Sequence, residues 1–161
     1  NYNGYGASLD DLYFLPASLY QKISPYENPL EFIENDEAYA VLKSGYLADM
    51  KSAHDTKPEL LEEKVAIYIL PEAKWARRVS GVFGNDLSTS EPDRAHAILT
   101  ALPAGGFLVS VRAPQVNKSG ADELCRSFPT GGGRKGAAGI NNLAESDVDL
   151  FIQRFRKQYQ A

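Results

Sequence analysis

One stretch of this chain brings glycine and cationic side chains together: Thr130-Gly131-Gly132-Gly133-Arg134-Lys135-Gly136-Ala137-Ala138-Gly139. Glycines have no Cβ, so the backbone can adopt positive φ and come close to a ligand. Consecutive N–H groups bent into a concavity form an anion nest, and Arg134 adds a guanidinium that grips phosphate with two hydrogen bonds. The small residues Ala137 to Gly139 let the next segment pass tightly against its neighbour. The chemistry expected here is binding of phosphate or a similarly shaped anion, with a tight structural turn as the alternative. The segment has neither the Gly-Lys-Ser/Thr ending of a P-loop nor the spacing of a dinucleotide fingerprint.

A second candidate is Ser110-Val111-Arg112-Ala113-Pro114. It places Arg112 at the end of a predicted strand, where ligands of α/β sheets bind. The adjacent pair Arg77-Arg78 falls in a predicted helix, where neighbours diverge by about 100°, so a solvated face is expected for it. His54 and His96 stand alone, without a second ligand at metal spacing. Acidic pairs such as Asp10-Asp11, Glu62-Glu63 and Asp147/Asp149 fit helix starts and solvated faces. No nucleophile elbow, zinc-protease helix motif or Cys-x-x-Cys is present. The residues describe a binding site without catalytic or metal-ligating side chains.

The elements that must carry these residues are legible from periodicity. Pro16 to Lys22 and Pro29 to Glu34 read as short helices opened by proline. Asp36 to about Ala53 has apolar residues on one helical face. His54-Asp55-Thr56-Lys57-Pro58 breaks that pattern and marks a boundary. Lys64 to Leu70 reads as a strand, Ala73 to Gly84 as a helix, and Arg94 to Leu102 and Gly106 to Arg112 as two strands around a Pro103-Ala104-Gly105 turn. Ser119 has capping-box spacing for a helix ending near Ser127. A short strand follows the glycines at Ala138 to Asn142. Val148, Phe151, Ile152, Phe155 and Tyr159 form the stripe of a last helix, with Ser146 as its expected N-cap. The expected fold is α/β: a mixed β-sheet flanked by helices in the order β-α-β-β-α-β-α, with an N-terminal helical arm.

Composition narrows the class. With 43% hydrophobic and 24% charged residues among 161, the chain has material for a soluble core. Its longest apolar run, Val65 to Leu70, is far too short for a bilayer, and no membrane partner is expected. The opening residues are polar, aromatic and glycine-rich, unlike a secretory leader. The net charge of −4 argues against general nucleic-acid coating. Most of the acid, however, lies in residues 1 to 63, so a local basic pocket is compatible with it. A single cysteine, Cys125, rules out an internal disulfide and suits a buried thiol in a reducing cytoplasm. The chain starts at Asn1 and has one methionine, Met50, and it reads as a piece of a longer protein.

Gly131-Gly132-Gly133-Arg134-Lys135-Gly136-Ala137-Ala138-Gly139 resembles the Gly-Gly-Gly-His-x-x-Ala-Ala-Gly signature of the DHH-associated C-terminal domain, subfamily one. Val109-Ser110-Val111-Arg112 is similar to that family's Ser-x-Arg strand. The likeness spans about residues 64 to 160. It implies a tail of a catalytic domain and helical connector over 1 to 58 and a substrate-binding domain over 59 to 161. It also implies that Mn or Mg, with its Asp and His ligands, belongs to a missing N-terminal catalytic domain, so that this chain alone is inactive and carries no cofactor. Arg112, Gly131, Gly132, Gly133, Arg134, Lys135, Ala137 and Gly139 are the implied substrate-binding residues. The implied partners are that catalytic domain and a short nucleic acid or phosphorylated small molecule. A surface left bare without the catalytic domain could also pair two copies of the chain. Where the family has histidine, this chain has Arg134, which keeps anion binding but not a proton-donor role. Two other readings are an acyl-CoA-dependent transferase, with pyrophosphate on the loop, and a non-enzymatic interaction module whose glycines serve close packing.

Overall fold

The structure, a computed structural model, describes residues 2–160; Asn1 and Ala161, the ends of the two expected segments, lie outside them. Three helices come first: α1 (Pro16–Ile23), α2 (Pro29–Asn35) and α3 (Glu37–His54). Proline opens α1 and α2, while Asn28 and Asp36 cap α2 and α3 by accepting N–H bonds from Leu30 and Ala38. The remainder runs β1 (Leu60–Leu61), β2 (Val65–Leu70), α4 (Lys74–Ser90), β3 (Ala95–Ala101), β4 (Phe107–Arg112), α5 (Ala121–Arg126), β5 (Gly131–Arg134), β6 (Ala137–Leu143) and α6 (Val148–Gln160). The α/β fold is as expected, with two strands added at Leu60–Leu61 and Gly131–Arg134.

One mixed six-stranded sheet has the order β1-β2-β3-β4-β6-β5, with β2 and β3 parallel and the other neighbours antiparallel. The crossover α4 joins the parallel pair, as such a connection requires. Strand β3 is central and covered on both faces. Ala95, Ala97 and Leu99 join the core under α5 and α6, while Ile98 joins Val79 and Phe83 of α4. The expected stripe of α6 packs into the first of these cores, with Phe151 and Phe155 fully buried. No helix among the described residues is long and apolar enough to cross a membrane.

Local differences from the sequence reading have physical causes. Helix α4 continues past Gly84 to Ser90, and Gly84 serves inside it as a point of close approach to the sheet, where a Cβ would lie 3.2 Å from Ile98 Cδ1. Gly120, at φ 89°, caps α5 instead of Ser119, whose hydroxyl donates to Asn117 Oδ1 at 2.8 Å. Ser146 lies inside a 3-10 turn, Glu145–Asp147, that runs into α6.

The Arg77-Arg78 pair is not solvated, and Asp11 is not a capping residue. Arg77 donates Nε and Nη2 to the two carboxylate oxygens of Asp11 at 2.7 and 2.8 Å, and Nη1 to Glu72. Arg78 donates to Asp49 on α3 at 2.6 and 3.1 Å and stacks over Tyr13; Tyr2 also donates its hydroxyl to Asp49. Asp11 and Asp49 are buried. Divergence along the helix sends each arginine to a different part of the N-terminal arm, which is thereby fastened to α4. Removing one partner of such a buried pair costs about 3–5 kcal/mol.

His96 on β3 is buried, and its Nδ1 has no hydrogen-bond partner. Burial, with the Arg94 charge, pushes its pKa down to about 4. An unfolded histidine protonates near pH ~6.5, so as pH falls the unfolded chain takes up the proton first. Stability from the neutral imidazole is full above that value and drains away toward pH 4. Asp11, which the Arg77 hydrogen bonds hold well below the usual carboxylate range, adds a further loss under pH ~4. Urea unfolding of the native chain between pH 7 and 4 is expected to show a fall on the order of 3 kcal/mol beyond that of His96→Gln. Equal slopes in the two proteins would contradict this account.

Candidate functional site

Antiparallel register puts the candidate cations in one row. Arg112 ends β4 opposite Ala137 of β6, and Ala137 lies opposite Arg134 of β5. Opposed residues of antiparallel strands point to the same face, here the face that α4 partly covers. The two arginines therefore flank an alanine, with one strand between them, or about 10 Å from backbone to backbone. The next row along the same face is Ser110, Gly139 and Gly132.

Arg112 is held by neutral groups alone. It donates Nε to Asn85 Oδ1 on α4 at 2.8 Å, and Nη1 to Ser110 Oγ at 2.8 Å and to the Val111 carbonyl at 3.1 Å. Burial and the Arg134 charge lower its pKa. An anion between the two guanidiniums would relieve both effects. A cleft of about 460 Å³ opens over this row, and its lining includes Arg112, Arg134 and Lys118 but no carboxylate. None of these cations, nor Lys135, forms an ion pair among the described residues. Arg77, Arg78, Arg94, Arg126 and Arg156 all do. In a chain of net charge −4, this cleft gathers positive charge without a carboxylate to offset it.

The glycines do different work from a nest. Gly131 to Arg134 is extended edge strand, and successive N–H groups of a strand point to opposite sides, so they cannot converge on one anion. Gly131 is required by packing, since a Cβ there would lie 1.8 Å from the Cys125 carbonyl oxygen. Gly133, at φ 142°, and Gly139 are likewise hemmed in by backbone, of Ala138 and Val109 respectively. A Cβ on Gly132 would meet nothing within 4 Å, which leaves the strand surface bare beside the cleft. An anion in this cleft would meet side chains and not a nest of backbone amides. Lys135 and Gly136 form the two-residue turn, whose carbonyls accept the N–H groups of Ala121 and Ala113 at 3.0 Å; Lys135 is outside the cleft lining. No helix starts after the glycines, so the pyrophosphate seat of an acyl-CoA transferase is missing.

Lys118 and Asn85 escaped the sequence reading. Lys118 lies in an irregular stretch before α5, brought in where Gly136 passes so close that a Cβ on the glycine would lie 3.1 Å from the Lys118 Cβ. Asn85 is 27 residues from Arg112, beyond any local pattern.

No protein-family model and no curated protein matches this sequence. Solved structures do share its fold. RecJ from Thermus thermophilus, in complex with Mg²⁺, matches with TM-score 0.60 and 19% identity over 82% of this chain and 21% of that one. A pGpG-specific phosphodiesterase, PggH from Vibrio cholerae, matches with TM-score 0.60 and 12% identity over 88% of this chain and 52% of that one. An exopolyphosphatase-related protein from Bacteroides fragilis matches with TM-score 0.54 and 18% identity, over 89% and 39%. The fold is that of a DHH-associated domain. The chain spans between about a fifth and a half of the length of these proteins.

Among the described residues no group of three or more His, Cys, Asp or Glu side chains is placed to hold an ion. His96 is enclosed in β3, and His54 at the end of α3 pairs with Asp86 on α4 at 3.0 Å. Cys125 is buried, and burial pushes its thiol up to about 12, which leaves it unreactive.

The differing roles of the glycines can be tested by stability. Gly131→Ala is expected to lose at least about 2 kcal/mol through overpacking, whereas Gly132→Ala should stay within about 0.5 kcal/mol of the native chain. Urea unfolding of both variants measures this; equal losses would contradict the packing described.

Proposed function

We propose that this chain is the substrate-binding domain of a DHH-type, metal-dependent phosphoesterase that acts on short nucleic acids or small phosphodiesters. The catalytic metal, Mn or Mg, is assigned to an N-terminal catalytic domain outside these residues, which is also the principal partner. A reducing cytoplasm suits the free thiol of Cys125. The observation that carries the reading is the row Arg112–Ala137–Arg134 with Lys118 beside it, three cations around one cleft without a carboxylate.

The parts have separate tasks. Asn85 and Ser110 fix the Arg112 guanidinium without neutralising it, so its orientation is set before a ligand arrives. Arg134 is exposed at the end of an edge strand and closes on the phosphate from the other side. Ala137 keeps the floor between them low enough for phosphate oxygens to reach both. Lys118 adds a third positive charge as a flexible donor. These residues bind and orient; they move no proton.

Binding of a 5′-phosphorylated dinucleotide, followed by NMR at low salt, tests the reading. Each charge-assisted contact contributes roughly 1.5–3 kcal/mol, so Arg112→Ala and Arg134→Ala should each weaken affinity about tenfold or more. The dinucleotide without its 5′-phosphate should bind less tightly. Arg134→Ala should also flatten the salt dependence by roughly one phosphate contact. With Mn²⁺ added, the chain should hydrolyse nothing. Unchanged binding in both variants would favour a module whose glycines serve packing alone, and robust hydrolysis would overturn the division of labour.

A further inference from the structure

A second cavity, of about 330 Å³, lies on the same sheet face and begins one step along the strands from the arginine row. Ser110 and Leu108 follow Arg112 at alternate positions of β4, as Gly139 and Asn141 follow Ala137 on β6. At its floor is Thr100 of β3, only 1% exposed, with an Oγ1 that has no hydrogen-bond partner. A buried hydroxyl in that state is destabilising until something supplies its partner. Leu102 and Leu108 give the cavity apolar walls, and Asn141 puts an amide at its rim. On the α4 side stands Gly81, at which a Cβ would meet nothing within 4 Å. The one charged lining residue, Arg77, is already paired with Asp11 and Glu72. The cavity is therefore electrically neutral, unlike its neighbour.

We propose that this second cavity is a nucleobase subsite. An uncharged planar ring, apolar on its faces and hydrogen-bonding at its edge, matches leucine walls with a hydroxyl and an amide between and beside them. Thr100 and Asn141 each donate and accept, so the subsite takes more than one base. Along the strands Ser110 and Gly139 lie one alternate step, about 6.6–6.8 Å, and Thr100, Leu108 and Asn141 two steps, about 13 Å, from the arginine row, a span that a dinucleotide bridges from its 5′-phosphate to a base. That base and phosphate belong to one ligand rests on the phosphate-binding reading above; the subsite itself does not.

The test uses adenosine, with ribose as control, titrated into the full chain and into Arg134→Ala and followed by NMR. Adenosine should shift Thr100, Leu108, Gly139 and Asn141 in both proteins at millimolar concentration, and ribose should not. Thr100→Val should weaken adenosine about fivefold or more, as loss of one hydrogen bond predicts. Gly81→Leu fills the cavity from a helix position with free space and so keeps the fold; it should abolish the shifts even if Thr100→Val fails to fold. Absent adenosine shifts, or shifts that Gly81→Leu leaves intact, overturn the subsite. Ribose 5-phosphate separates the two readings. If it binds through Arg112 and Arg134 while adenosine shifts nothing, only the subsite fails. If adenosine binds as expected and ribose 5-phosphate does not, the phosphate reading fails and the subsite stands. With both correct, a 5′-phosphorylated adenine dinucleotide should bind at least about tenfold more tightly than adenosine.

Discussion

The backbone of β5 runs so close to the end of α5 that no side chain fits between Gly131 and the Cys125 carbonyl. This contact fixes where the edge hairpin can lie. Four consecutive residues with little intrinsic β-propensity would not hold an edge strand alone. Here the strand is held by β6, which pairs with it residue for residue, and by α5, which packs against it at Gly131. The turn is tied down as well, since its two carbonyls accept N–H groups from Ala113 and Ala121. The conformational freedom that glycine loses on folding is thus offset by pairing and packing. Arg134 reaches the row of Arg112 because the strand beneath it has one place to be.

Charge is partitioned just as sharply. Asp11 and Asp49 of the arm are taken up in buried pairs with Arg77 and Arg78, Asp36, Glu37 and Asp55 form surface pairs, and no carboxylate lines the cleft. Arg77 and Arg112 illustrate two uses of one residue type. Arg77 is neutralised by Asp11 and joins two parts of the chain. Arg112 is oriented by an amide and a hydroxyl, which accept hydrogen bonds without cancelling its charge. An aspartate in place of Asn85 would keep the geometry and lose the electrostatics. Restraint without neutralisation leaves the Arg112 charge open to a ligand, whereas that of Arg77 is already used.

This distinction explains what the sequence could reveal. Regular elements with strong periodicity were legible: the stripe of α6, the β3–β4 hairpin and the proline-opened α1 and α2. Arg112 and Arg134 stood out because strand ends and glycine-flanked cations carry local signals, and the register sets them in one row. The partners of Arg77 and Arg78 were not legible, since Asp11 and Asp49 lie 66 and 29 residues away and belong to the arm. Strand β5 was hidden for a related reason. Its composition reads as loop, and only β6 and α5 make it extended. Lys118 carries no signal, because an irregular segment has no period to place it.

The cleft itself is a product of missing volume. Along the side of α4 that faces β4 and β6, the residues are Ser80, Gly81, Gly84, Asn85 and Ser88, and the strands opposite contribute Ala137, Gly139 and Gly132. A helix over a sheet ordinarily meets it with branched or aromatic side chains, as α4 does through Val79 and Phe83 over Ile98. On this side both walls are stripped back, and apolar burial that would have added stability is forgone. Gly84 has a packing reason of its own, whereas Gly81 and Gly132 face open space. Glycine inside a helix is destabilising by roughly 1 kcal/mol relative to alanine, so Gly81 weakens α4 without improving any contact in the folded chain. A ligand lying along the sheet, with negative charge at Arg112 and an uncharged ring over Thr100, would restore the contacts that the fold leaves out.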